Sequence, residues 1–153
     1  MLSAAWSSSA GALPNKDETV PVLISATHGI HTPEDVVAVR QAVRQRAVEL
    51  GFNLVDQTKL VTAASELARN TLQYGGGGAV LIEGIGDGLR RGLRLTFEDK
   101  GPGIADIDEA LRGGFSTAGG LGLGLSGARR LSNEFQIESR PGEGTRVTIT
   151  RWR

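Results

Sequence analysis

The sequence contains no cysteine, so disulfides, thiolate zinc sites and thiol nucleophiles are all excluded. It has no apolar run approaching the ~20 residues that a membrane-spanning helix needs. Residues 1–18 lack a basic segment followed by a continuous apolar stretch, and so make a poor signal peptide. These absences point to a soluble, cytoplasmic chain with no membrane partner. Charge excess is also missing. The 17 Lys and Arg balance the 17 Asp and Glu, which argues against a dedicated nucleic-acid partner. Arg90, Arg91 and Arg94 cluster, as do Arg129 and Arg130, and both groups read as solvated faces. Hydrophobic residues reach only 39% because 22 of the 153 positions are glycine. The length still suffices for one buried core.

Residues 1–18 are rich in Ser, Ala and Gly and read as a flexible tail, leaving 19–153 as a single domain. Val20–Ser25 is a first strand, placed at a sheet edge by Pro21 and closed by a turn at 27–29. Thr32 followed by Pro33, Glu34 and Asp35 starts a helix, with Val36, Val39, Val43 and Ala47 at helical spacing. A second helix, capped by Asp56, carries Leu60, Ala64, Leu67, Ala68 and Thr71 on its apolar face. Residues 79–85 and 92–98 form a hairpin through a Gly-Asp-Gly turn at 86–88. A short helix at 104–111, a loop at 112–120, a helix at 121–131 and two final strands at 135–139 and 145–152 complete the order. No βαβ alternation runs through it, so a doubly wound sheet is excluded. The expected class is α+β: a two-layer α/β sandwich, with a mixed, mostly antiparallel sheet and the helices on one face.

Three segments can carry chemistry. Glu66 and Asn70 lie four apart, on one side of the second helix and at the border of its apolar stripe. An amide oxygen there can coordinate Mg²⁺, which takes hard oxygen ligands, and the carboxylate can act as a general base. The same pair also suits the polar edge of an ordinary helix. Asp99 ends a strand and is followed by Gly101-Pro102-Gly103. A carboxylate at that place needs a donor, and the exocyclic amine of adenine is one, whereas guanine offers a carbonyl. A capping aspartate in a plain turn is the alternative. Finally, Gly119 to Leu125 opens a helix with alternating glycines. Such a start presents unpaired N–H groups to phosphate, or lets the helix pack closely. Gly122 to Gly127 spells G-x-G-x-x-G, but it follows a loop rather than a strand, so the dinucleotide reading fails.

In order, the chain runs E-x-x-x-N, D-x-G-x-G, a short lid, G-x-G-x-G and a final G-x-G-T at 142–145. That set resembles the GHKL family of ATPases and kinases, with its Bergerat ATP fold, over residues 20–153. The runs 65–70, 98–104 and 114–122 are similar to the switch kinases among the small anti-sigma regulators of this family. The short lid and the lack of a histidine-bearing dimerisation helix point the same way, and His28 and His31 read as ordinary loop residues. The resemblance implies ATP and Mg²⁺ as cofactors. It implies Glu66 as catalytic base, Asn70 as magnesium ligand and Asp99 as adenine contact. Gly101 and Gly103 would shape the pocket, Gly120, Leu121, Gly122 and Gly124 would line the phosphates, and Thr145 would support Asp99. Ser116 and Thr117 belong to the lid, where either can touch phosphate. Lys100 points to solvent or biases nucleotide affinity. The implied function is a serine/threonine kinase acting on a STAS-domain antagonist or scaffold in partner switching, with release to a PP2C-type phosphatase. The alternative is an anti-sigma factor that mainly binds a sigma subunit. The sequence leaves the oligomeric state open.

Overall fold

The computed structural model describes residues 20–112 and 121–153. The expected tail at 1–18 and most of the expected lid, including Ser116, Thr117 and Gly120, lie outside the described residues.

Among the described residues nine elements follow one another: β1 (Val22–Ile30), α1 (Pro33–Glu49), α2 (Leu54–Gln73), β2 (Gly78–Gly86), β3 (Arg91–Asp99), α3 (Ile107–Leu111), α4 (Leu121–Arg130), β4 (Glu134–Arg140) and β5 (Gly144–Trp152). The strands form one sheet in the order β1-β2-β3-β5-β4. Every pairing is antiparallel, so the sheet is not mixed. The α+β class and the two layers stand.

Period-two alternation places Val80 and Ile82 of β2, Leu93, Leu95 and Phe97 of β3, and Val147 and Ile149 of β5 on one face. All are buried, in one cluster with Val39 and Val43 of α1, Leu60 and Leu67 of α2, and Leu125 and Ala128 of α4. Burial of this face stabilises the sandwich at about 25 cal/mol per Å² of apolar area. The helices close over the sheet because each carries its small and branched residues toward it. Ala63, Ala64 and Ala68 are fully buried, letting α2 approach closely.

Several boundaries moved. The first strand runs on through 27–29 to Ile30. Its inward residues Ile24, Ala26 and His28 pair with β2 opposite Gly84, Ile82 and Val80, and the polar Thr27 and His28 hid that alternation. His28 is therefore a strand residue, not a loop residue, and His31 directly follows the strand. The second helix is capped by Asn53, whose Oδ1 accepts the Asp56 N–H at 2.8 Å. Asp56 sits in the first turn instead. The short helix starts at Ile107 behind the cap Asp106. Gly86 belongs to β2, and the hairpin turn closes at 87–90, where the Asp87 carboxylate accepts the Leu89 and Arg90 N–H groups. Arg94 is buried rather than solvated. It stands opposite Glu83 across β2 and β3 and bonds it at 2.9 Å. Arg129 and Arg130 are exposed as expected.

Candidate nucleotide site

One end of the sheet carries the site. Gly78, Asp99, Thr145 and Ser139 stand directly opposite one another in a row across β2, β3, β5 and β4. Antiparallel register alone fixes this row, because a one-residue slip would turn each side chain to the other face. From the helix layer, α2 brings Asn70 and Thr71, and its C-cap Tyr74, over the same end. Between the layers lies a cavity of about 140 Å³ whose lining includes Asn70, Tyr74, Asp99, Gly103, Thr145 and Val147. Its remaining walls are mostly apolar, from Leu67, Phe97, Ile104 and Leu125.

Asp99 is the charged group of this cavity. Its Oδ1 accepts the Gly101 N–H at 2.9 Å, and the Thr145 N–H also donates to it. Burial nevertheless pushes its carboxyl above the ordinary range, outweighing those two bonds, and the neighbouring Glu98 adds to the rise. A half-buried carboxylate in apolar walls thus waits for a further donor. Gly101 lies against Tyr74 and Gly75, with room for no side chain between them. Gly103 has φ of +77° and abuts the Arg140 carbonyl, so the D-x-G-x-G turn needs glycine there for backbone and space alike.

Asn70 answers the sequence expectation from the other side. Its Nδ2 is buried, with no hydrogen-bond partner among the described residues. The oxygen and nitrogen of an amide are interchangeable by a flip, so among the described residues one polar end of Asn70 is left unbonded. A bound cation or phosphate fits that vacancy in bonding. Gly124 of α4 packs on this amide. A Cβ there would lie 3.0 Å from Nδ2 and 3.3 Å from Oδ1. Close approach to Asn70 is therefore what Gly124 demonstrably provides. Leu121 and Gly122 form the start of α4.

Glu66 lies one turn before Asn70 but does not line the cavity. Its Oε1 accepts from the Arg69 guanidinium at 2.8 Å, and its side chain is 39% exposed. Lys100 is exposed, in agreement with the solvent reading. Sequence reasoning missed Tyr74, Gly75 and Ser139. Tyr74 follows Asn70 by four residues, so helical spacing could have found it. Nothing local marks the other two.

The family model for histidine kinase-, DNA gyrase B- and HSP90-like ATPases matches residues 55–152. The chain belongs to that family. It is 50% identical over 123 residues to serine/threonine-protein kinase RsbT of Bacillus subtilis (strain 168), a match covering 80% of this chain and 92% of that one. Anti-sigma F factor of Thermoanaerobacter sp. (strain X514) is 30% identical over 118 residues, covering 74% of this chain and 82% of the relative. Among solved structures, the RsbU and RsbW domains of Rv1364c from Mycobacterium tuberculosis match with a TM-score of 0.60 and 24% identity, over 85% of this chain and 33% of that one. The SiaB-SiaC complex from Pseudomonas aeruginosa matches with a TM-score of 0.52 and 12% identity, over 100% and 99% of the two chains. These two likenesses concern the fold. As a member of this ATPase family the chain uses ATP, and of its motif residues Asn70, Asp99, Gly103 and Thr145 line the cavity.

Proposed function

We propose that this protein is an ATP-dependent serine/threonine kinase that phosphorylates a STAS-domain protein in a partner-switching pathway. The observation that carries the reading is the convergence on one cavity of Asp99, Thr145 and the Asn70 amide, whose Nδ2 has no partner among the described residues. The 50% identity to a serine/threonine-protein kinase supports the choice of reaction.

The chemistry follows from the residues. The apolar walls take a flat heterocycle, and Asp99 accepts from its exocyclic amine. That selects adenine, since a carbonyl at the same place would face a carboxylate. Asn70 would hold Mg²⁺ through its amide oxygen, together with the nucleotide phosphates; bound there, the ion neutralises charge on the phosphate oxygens. Glu66, on the same side of α2, takes the proton from the acceptor serine or threonine. The hydroxyl oxygen then bonds to the γ-phosphorus while the bond to the β,γ-bridging oxygen breaks and ADP leaves. Among the described residues the Arg69 guanidinium donates to Glu66 Oε1 and so steadies the carboxylate. The glycine-rich start of α4 directs N–H groups at the phosphates.

Purified protein, Mg²⁺ and labelled ATP should transfer phosphate to a STAS-domain protein encoded beside it. ATP binding without transfer to any such protein would refute the kinase reading. A second reading, sequestration of a sigma subunit, is favoured by the identity to anti-sigma F factors. Stable co-purification of a sigma factor, with no phosphorylated product, would put it first. A PP2C-type phosphatase is the expected recipient of the released kinase.

A further inference from the structure

Ser139 lies outside every motif considered above, yet three groups of the site meet at its hydroxyl. The Ile104 N–H donates to Oγ at 2.7 Å. Oγ lies 3.0 Å from the Gly144 carbonyl oxygen and 2.8 Å from the Thr145 Oγ1. Ile104 and Thr145 both line the cavity, so this one hydroxyl ties two of its walls together.

The directions of these bonds can be worked out. A serine hydroxyl has one hydrogen and two acceptor positions. The Ile104 N–H occupies one acceptor position. The Gly144 carbonyl can only accept, so it takes the Ser139 hydrogen. The second acceptor position then receives the Thr145 hydrogen. Every capacity of Ser139 is used, and no other assignment satisfies all three partners. Thr145 consequently spends its hydrogen on Ser139 and has only lone pairs left for the cavity. The ionised Asp99 carboxylate is likewise an acceptor. Both polar side chains on this edge of the sheet therefore ask for a donor.

We propose that Ser139 is a positioning residue for base selection: by orienting the Thr145 hydroxyl as an acceptor, it makes the pocket edge select a purine that carries an amine at its six-position. The proposal rests on the ATP reading given above and adds what sets its base preference. Without Ser139 the Thr145 hydroxyl could turn and donate, which would accommodate a six-position carbonyl.

The test compares ATP with inosine triphosphate, which carries a carbonyl in place of the amine, by calorimetry on the full chain. Ser139→Ala should weaken ATP by about three- to tenfold, the worth of one net hydrogen bond. Inosine triphosphate should keep its affinity or gain by up to about threefold, and kcat at saturating ATP should stay within about twofold of the parent while KM rises. Ser139→Thr, which keeps the hydroxyl, should restore the parent preference. Should Ser139→Ala fail to fold, Ser139→Cys carries the same expectation, because a thiol bonds weakly at nearly the same size. Equal loss for both nucleotides, or no change in their ratio, overturns the role of Ser139 and leaves the kinase reading intact. Failure of the parent protein to bind ATP overturns that reading, and this proposal with it.

Discussion

Gly75, just past the end of α2, lies directly against the carboxylate of Asp99 at the end of β3, and a Cβ at position 75 would overlap the Asp99 carboxyl carbon. The contact joins the helix layer to the sheet at the point where the cavity opens. Gly75→Ala should therefore displace Asp99 instead of merely stiffening a loop. We expect ATP affinity to fall by tenfold or more and stability by about 1–3 kcal/mol, the usual cost of overpacking. Calorimetry and thermal melting check the two effects. Unchanged ATP affinity would show that Asp99 is not the base contact.

Asp99 should also give the site its pH dependence. Burial raises its carboxyl pKa in the free protein, so the folded chain holds the Asp99 proton to higher pH than the unfolded chain does. The stability contribution of this group is therefore largest below the unfolded value and falls as pH rises through the raised one. Nucleotide binding works the other way. An amine donor favours the ionised form, so affinity should rise over that same window and then level off, with a proton released on binding. Calorimetry in two buffers of different ionisation heat would measure the release. Asp99→Asn should abolish the pH dependence and cost ATP about 10- to 100-fold in affinity.

A substitution at Glu66 should separate catalysis from binding. It does not line the cavity, so Glu66→Gln should leave ATP affinity within about twofold of the parent while phosphoryl transfer drops by about 10²–10⁴. Arg69→Ala removes only an exposed partner and should alter stability by less than about 1 kcal/mol. If the glutamine variant transfers phosphate at the parental rate, another group must accept the proton.

Asn70 and Gly124 should fail in different ways. Asn70→Ala removes the buried amide and should weaken ATP in the presence of Mg²⁺ more than in EDTA. Gly124→Ala adds a carbon 3.0 Å from that amide. It should reduce binding with and without the ion by similar factors, since it moves the helix and not the ligand atom. Paired titrations with and without Mg²⁺ distinguish them.

Far from the cavity, Arg151 clamps the two helices that carry the site. Its guanidinium donates to Asp56 Oδ1 at 2.8 Å and to the Leu131 carbonyl at 3.1 Å, joining the first turn of α2 to the chain just past α4. Arg151→Met should cost about 1–3 kcal/mol, because it strands a partly buried carboxylate and a carbonyl. Urea unfolding measures it.

The order of elements, the apolar faces of α1 and α2 and the ATP-site motifs could all be read from the sequence. Each is a local matter: spacing decides which side of a helix or strand is apolar, and a turn's glycines sit beside the acid they serve. Thr32 and Pro33 marked the start of α1, where Thr32 caps the helix in a reciprocal box with Asp35. Tertiary structure alone decided what lies opposite what. Strand register put Ser139 across from Thr145 and Thr145 across from Asp99, and the packing of α2 on β3 brought Gly75 to the Asp99 carboxylate. It also buried Arg94, which charge clustering had placed in solvent, by setting Glu83 across the hairpin from it. Such contacts join residues tens of positions apart through hydrogen-bond pairing and volume exclusion. No local spacing encodes either until the chain has folded.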